Sequence, residues 1–184
     1  MAHIHASPLP RHDDLPTDAL EHTPHHFFKE KIHEGLEECS LQLPPAFMDQ
    51  CHYFYTSQQH ILNSINESCI THRDFGPRNI LVQNNAVTGI IDWSSASVTF
   101  SAEDFCFLDH HEYPIEALHK HAFLSGYASI RPVPDYQRIM PLLLFSKALA
   151  IMGFSIKRDL WKTSMASDYQ ASYTVLNRLI QQEI

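Results

Sequence analysis

The apolar residues of this chain change period once, near the middle, and that change limits what the chain can fold into. Residues 79–83 and 87–92 are two short β-prone runs joined by Asn84-Asn85-Ala86. Asparagine tolerates the left-handed backbone of a tight turn, so the stretch reads as a β-hairpin. On either side the spacing is helical. Phe27, Phe28, Ile32 and Leu36 predict a helix over about 25–40, with Thr23-Pro24 as its cap and first turn. Pro44-Pro45 opens a second helix over about 45–67, carrying Phe47, Cys51, Phe54, Tyr55, Ile61, Leu62 and Ile65. Residues 69–72 read as a short extended piece. Beyond Trp93, residues 102–110, 114–127, 136–154 and 158–182 read as helices, with a turn at Arg131-Pro132-Val133-Pro134. Residues 1–6 resemble the tail of a helix, and the prolines at 8, 10, 16 and 24 predict a loop over 7–24. The expected fold class is α+β, mostly α: one domain over 1–184, helical, with one hairpin inserted about halfway.

Composition narrows the function. The chain has 184 residues, 44% hydrophobic and 18% charged, enough for a core without staples. A net charge of −8 argues against a nucleic-acid partner bound by phosphate neutralisation. The four cysteines, at 39, 51, 69 and 106, form no C-x-x-C pair and imply free thiols in a reducing, cytoplasmic setting. The N-terminus shows no apolar signal region. The most apolar segment, 140–156, contains Lys147 and is short for a membrane span, so it reads as a buried core helix and no membrane is implied. Fourteen histidines include the neighbours His3/His5, His25/His26, His110/His111 and His119/His121. None has a second half at zinc spacing, so they read as surface or half-buried residues.

The hairpin carries the polar residues that need a reason. Asp74, Asn79 and Asp92 lie just before it, at its start and at its end. A hairpin turning near residue 85 places Asn79 and Asp92 opposite each other at its open end, with Asp74 in the loop feeding that end. Three oxygen-bearing side chains at one rim suit Mg²⁺, which takes few protein ligands and completes its shell with phosphate and water. Asp and Asn also favour turns for purely local reasons.

The motifs are His72-Arg73-Asp74, then Asn79, then Ile91-Asp92-Trp93, flanked by "GPRNILV" and "TGIIDW". This H-x-D-x-x-x-x-N followed by I-D-W resembles the aminoglycoside phosphotransferase and choline kinase-like family, which has a protein kinase-like fold. The letters D-F-G at residues 74–76 suggest a protein-kinase metal loop. However, Asp74 lies five residues before Asn79 and matches the catalytic-loop aspartate, while Asp92, 18 residues after Asp74, matches the metal-loop one. The resemblance implies transfer of the γ-phosphate of ATP or GTP to a hydroxyl of a small molecule. Asp74 would orient the acceptor hydroxyl or take its proton; Asn79 and Asp92 would hold Mg²⁺ on the nucleotide phosphates. His72 would buttress the loop. Arg73 stands where the family usually has glycine, which implies a crowded loop or an altered substrate contact. The "AEDFCFL" segment also resembles the family, with Asp104 capping or anchoring the helix that follows. Glu103, Asp109 and Glu112 are either solvated surface or an attraction for an amine-bearing substrate.

The resemblance is strongest over 69–108, the expected catalytic and metal-binding segment, and it implies a C-terminal lobe only. None of the glycines forms a G-x-G-x-x-G or Walker A loop, and Lys29 and Lys31 fall on an expected helix. The opening "MAHIHAS" resembles a helix near the start of that lobe. With the β-rich N-lobe absent, phosphoryl transfer is expected to slow by several orders of magnitude, because positioning carries most of that catalysis. An exposed cleft face is then expected to meet an N-lobe partner or a second copy. The alternative to a kinase is an inactive pseudokinase-like binding module, or half of a split kinase.

Overall fold

The computed structural model describes residues 1–8, 24–65, 67–109 and 115–181. These contain helices α1 (Ala2–His5), α2 (Pro24–Ser40), α3 (Pro45–Gln58), α4 (Ala117–Ala128), α5 (Tyr136–Lys157) and α6 (Ala166–Gln181). The strands are β1 (Cys69–Thr71), β2 (Ile80–Gln83), β3 (Ala86–Ile90) and β4 (Ser97–Thr99). The chain divides into two compact units, one of Met1–Pro24 and Glu67–Tyr136, the other of His25–Asn66 and Gln137–Ile184.

The second unit is helical and apolar. Phe28, Ile32, Leu36 and Cys39 are all buried, one per turn along α2. Pro45 begins α3, where its missing N–H costs nothing. Phe54 of α3 meets Phe145 of α5 at 4.7 Å between ring centres, and Phe47 stacks on Tyr173 of α6 at 5.0 Å. Backbones approach closely at Gly35, where a Cβ would lie 2.8 Å from Leu149 Cβ. The 22-residue α5 is longer than its sequence suggested, and by length and composition it could cross a membrane. In the structure Leu142, Leu143, Phe145, Leu149 and Met152 are buried against protein, so it is a core helix of this unit.

The first unit is built of short pieces. In place of a single hairpin it holds two two-stranded antiparallel sheets, β1–β4 and β2–β3. In β1–β4, Thr71 pairs with Ser97, and the buried hydroxyls of Thr71 and Thr99 lie 2.7 Å apart. In β2–β3, Asn84 and Asn85 turn at φ 51° and 59°. Both are left-handed, as a two-residue turn between twisted strands requires. Val82 pairs with Val87 and Leu81 with Gly89, so Thr88 is a bulge. Phe75, Phe105, Phe107, Phe123 and Tyr127 form a ring-on-ring core, with Phe105 and Tyr127 4.9 Å apart and Phe75 and Phe107 5.2 Å apart.

Three further expected helices differ in extent. The one over 45–67 stops at Gln58 and tightens into a 3-10 segment, Gln59–Ser64. Residues 102–110 form a 3-10 run, Ser101–Asp109, instead of an α-helix. The helix expected from 158 starts at Ala166. Asp159, at φ 54°, ends α5, and successive turns through Leu160 occupy the interval. Most of the expected 7–24 loop, with His110, His111 and Glu112, lies outside the described residues.

Candidate active site

The loop that leaves β1 is held by one buried carboxylate. Asp104 Oδ2 accepts the His72 backbone N–H at 2.8 Å, and Oδ1 accepts that of Arg73 at 2.7 Å. Asp104 thus anchors the preceding loop; it does not cap the helix that follows. Between these contacts Arg73 takes φ 63°. A left-handed backbone costs an ordinary residue about 1–2 kcal/mol and glycine almost nothing, so glycine would take this position with less strain. Arg73 does not crowd the loop. Its Nε donates to Glu103 Oε2 at 2.9 Å and its Nη1 to the Ser95 carbonyl at 3.3 Å. Glu103 is therefore a buried partner and not solvated surface. Burial pushes its carboxyl above the usual range, and Arg73 pulls the other way.

His72 is completely buried. Its Nε2 faces the Ile91 carbonyl at 2.8 Å, so Nε2 carries the hydrogen and donates. Its Nδ1 accepts the Asp74 backbone N–H at 3.3 Å. Phe75, next to Asp74, sinks into the aromatic core, which leaves the Asp74 side chain 26% exposed. Residues Pro77–Asn79 then make one 3-10 turn into β2.

Asn79 ties the loop to the hairpin. Its Nδ2 donates to the Asp74 carbonyl at 2.8 Å and lies 3.3 Å from Asp74 Oδ2. Its own carbonyl accepts from Ile91 N at 3.0 Å. The two-residue turn and the Thr88 bulge thus put Ile91 opposite Asn79, and Asp92, expected there, lies one residue beyond. Asp92 adopts φ 63°, ψ 60°, and its Oδ1 accepts the Ser94 hydroxyl at 2.8 Å. Asp74, Asn79 and the Ile91–Asp92 step are therefore gathered at one end of the hairpin. Asn79 Oδ1 and Asp92 Oδ2 are oxygens that no contact among the described residues engages.

Two further contacts escaped the sequence reading. Arg78 Nη2 lies 2.6 and 2.8 Å from the two Asp74 oxygens, and its i,i+4 spacing was a usable signal. His5 reaches Asp104 across 99 residues, and no local signal marks that. The paired histidines find other uses: His25 Nε2 donates to the Leu62 carbonyl at 2.8 Å, and His26 lies 3.2 Å from Glu30. Among the described residues no group of three or more His, Cys, Asp or Glu side chains is placed to hold a metal. Cys39, Cys51 and Cys69 are buried, and burial raises each thiol to about 12.

The pattern of the phosphotransferase enzyme family, APH, matches residues 1–142. A stretch of 89 residues is 33% identical to the homoserine kinase of Gluconobacter oxydans (strain 621H), covering 44% of this chain and 28% of that protein. The fold is similar to that in the gentamicin–APH(2")-IIa complex, with a TM-score of 0.67, 18% identity, and coverage of 95% of this chain and 57% of that one. It is also similar to the apoenzyme of macrolide 2'-phosphotransferase MphH from Brachybacterium faecium, with a TM-score of 0.60, 18% identity, and coverage of 96% and 56%. The chain spans little more than half the length of these solved relatives and about a quarter of the homoserine kinase.

Proposed function

Since this chain belongs to the phosphotransferase enzyme family, we propose that the loop after β1 and the open end of the β2–β3 hairpin form the transfer centre of a small-molecule kinase. The nucleotide is ATP or GTP and the acceptor is a hydroxyl of a small molecule. Asp74 would orient that hydroxyl and take its proton. Arg78 lies across the Asp74 carboxylate, but its side chain is 68% exposed and the pair is weak, so an entering acceptor can displace it. His72 holds the loop and the hairpin together through Asp74 N and the Ile91 carbonyl. The uncommitted oxygens of Asn79 and Asp92 fit Mg²⁺, which prefers a few hard oxygen donors and keeps water and phosphate in its shell. When bound there, the ion would neutralise charge on the phosphates.

The observation that carries this reading is the double role of Asn79. Its amide holds Asp74 and its carbonyl holds the strand that leads to Asp92. Calorimetry with ATP and GTP, with and without Mg²⁺, tests it. We expect Mg²⁺-dependent heat that Asp92→Ala abolishes. The absence of heat at millimolar nucleotide removes the kinase reading for this polypeptide.

A second reading has its own support. The hairpin exposes Val82 at 62% and Val87 at 66%, together with Leu81 and Ile91. The chain also spans only part of its solved relatives. Under this reading it is a C-lobe-like binding module that meets a β-rich N-lobe partner, or another copy of itself, through that hairpin. Light scattering that shows a strict monomer with full phosphotransfer argues against it.

A further inference from the structure

His5 is only 3% exposed, and nothing assigned above uses it. Its Nε2 lies 2.9 Å from Asp104 Oδ2 and its Nδ1 2.8 Å from the Tyr127 hydroxyl. A carboxylate only accepts, so Nε2 carries the hydrogen, and in the neutral ring Nδ1 accepts from Tyr127. Burial pushes the Tyr127 hydroxyl up to about 12, so it stays a donor. The His5 backbone is fixed as well. Its carbonyl accepts from Arg131 Nη1, while Arg131 Nη2 reaches Glu67 Oε2 at 3.1 Å. Glu67 Oε1 accepts from Ser101 N at 3.0 Å, at the start of the run that contains Asp104. One imidazole is thus braced on both sides and aimed at the carboxylate that holds the loop.

The loop needs such a brace. A carboxylate that takes the His72 and Arg73 N–H groups fixes their peptide planes only if the carboxylate itself cannot turn. Arg73 stays left-handed only where its surroundings over-determine it. We propose that His5 is a positioning residue: through Nε2 it locks the orientation of Asp104, and through Asp104 it fixes the His72–Arg73 backbone that presents Asp74. Its bearing on catalysis rests on the kinase reading; the brace itself does not.

The test follows backbone amide exchange at His72 and Arg73 in the full chain, comparing wild type, His5→Leu and His5→Gln. Glutamine keeps a donor where Nε2 stood. His5→Leu is expected to speed exchange at these two amides about tenfold or more, with the amides of α2 and α5 unchanged, and His5→Gln to restore most of the protection. Unchanged rates in His5→Leu overturn the proposal. So does equal acceleration across the whole first unit in both variants, which would mean that His5 only fills space. Should His5→Leu fail to fold, Tyr127→Phe keeps the ring buried and removes the hydroxyl, which partners Nδ1 and also meets Ser101. It is expected to speed the same two amides by less, and no change there overturns the proposal equally. If wild type transfers phosphate, His5→Leu lowers kcat with the nucleotide KM unchanged. A wild type without transfer defeats the kinase reading and leaves the exchange result to judge the brace.

Discussion

The two units of this protein reach order by different routes. In the unit of His25–Asn66 and Gln137–Ile184, helices bury Phe28, Leu36, Phe54, Phe145 and Leu149, with glycine where backbones come close. In the unit that holds the candidate site, strands three to five residues long, the run Ser101–Asp109 and α4 surround buried polar groups: His5, Thr71, His72, Asn79, Glu103 and Asp104. Apolar burial is non-directional and tolerates adjustment. A buried hydrogen-bond network specifies angles as well as distances, and one missing member leaves the others unpaired. The site's unit therefore exchanges tolerance for exact presentation of a loop, at the cost of left-handed backbone at Arg73 and Asp92.

The largest break in that contrast is Asp104→Ala. It leaves the His5, His72 and Arg73 donors without their acceptor and is expected to cost about 3–5 kcal/mol. Denaturant unfolding with residue-level exchange should show the loss in the site's unit. Arg73→Gly comes next. Relief of about 1–2 kcal/mol of left-handed strain is outweighed by a buried Glu103 stripped of its cation, for a net loss of about 2 kcal/mol. Adding Glu103→Gln should return most of it in the same unfolding assay, and an unchanged double variant would refute the buried-pair account.

The apolar unit should respond more mildly. Gly35→Ala drives a methyl to 2.8 Å from Leu149 Cβ. Overpacking of about 1–3 kcal/mol is partly offset by about 1 kcal/mol of helix propensity, so a small net loss is expected. If it matches Asp104→Ala, the contrast between the units fails.

Alkaline pH should erase the contrast. Cys39 and Cys51 in one unit and Cys69 in the other have thiols raised to about 12 from 9.0. Above about 9 the unfolded chain releases these protons while the folded chain keeps them. The contribution is thus whole below pH 9 and lost as pH rises toward 12. Unfolding midpoints that stay constant from about pH 8 to pH 10.5 would contradict this, and near neutrality no effect is expected.

The legible parts were those written in short spacings. Phe28, Ile32 and Leu36 repeat every four residues because one turn of helix brings them to one side. Asn84-Asn85 marks its own turn because the two residues supply the left-handed backbone themselves. The motifs His72-Arg73-Asp74, Asn79 and Ile91-Asp92-Trp93 likewise carried the resemblance to the family matched over residues 1–142. Exact register was less legible. One bulge at Thr88 moved Asn79 opposite Ile91, and β-pairing of Cys69–Thr71 with Ser97–Thr99 carried no local mark.

The sequence by itself determined the helical periods, the hairpin turn and the order of the polar motif. Each depends on interactions within a few residues, which any conformation of the chain keeps close. Only the tertiary structure decided that Asp104 would hold the loop from 31 and 32 residues away, that Glu103 would receive Arg73, and that His5 would meet Asp104 across 99. Such pairs form only after the chain has closed large loops, and which polar groups then meet depends on how the apolar pieces between them have packed.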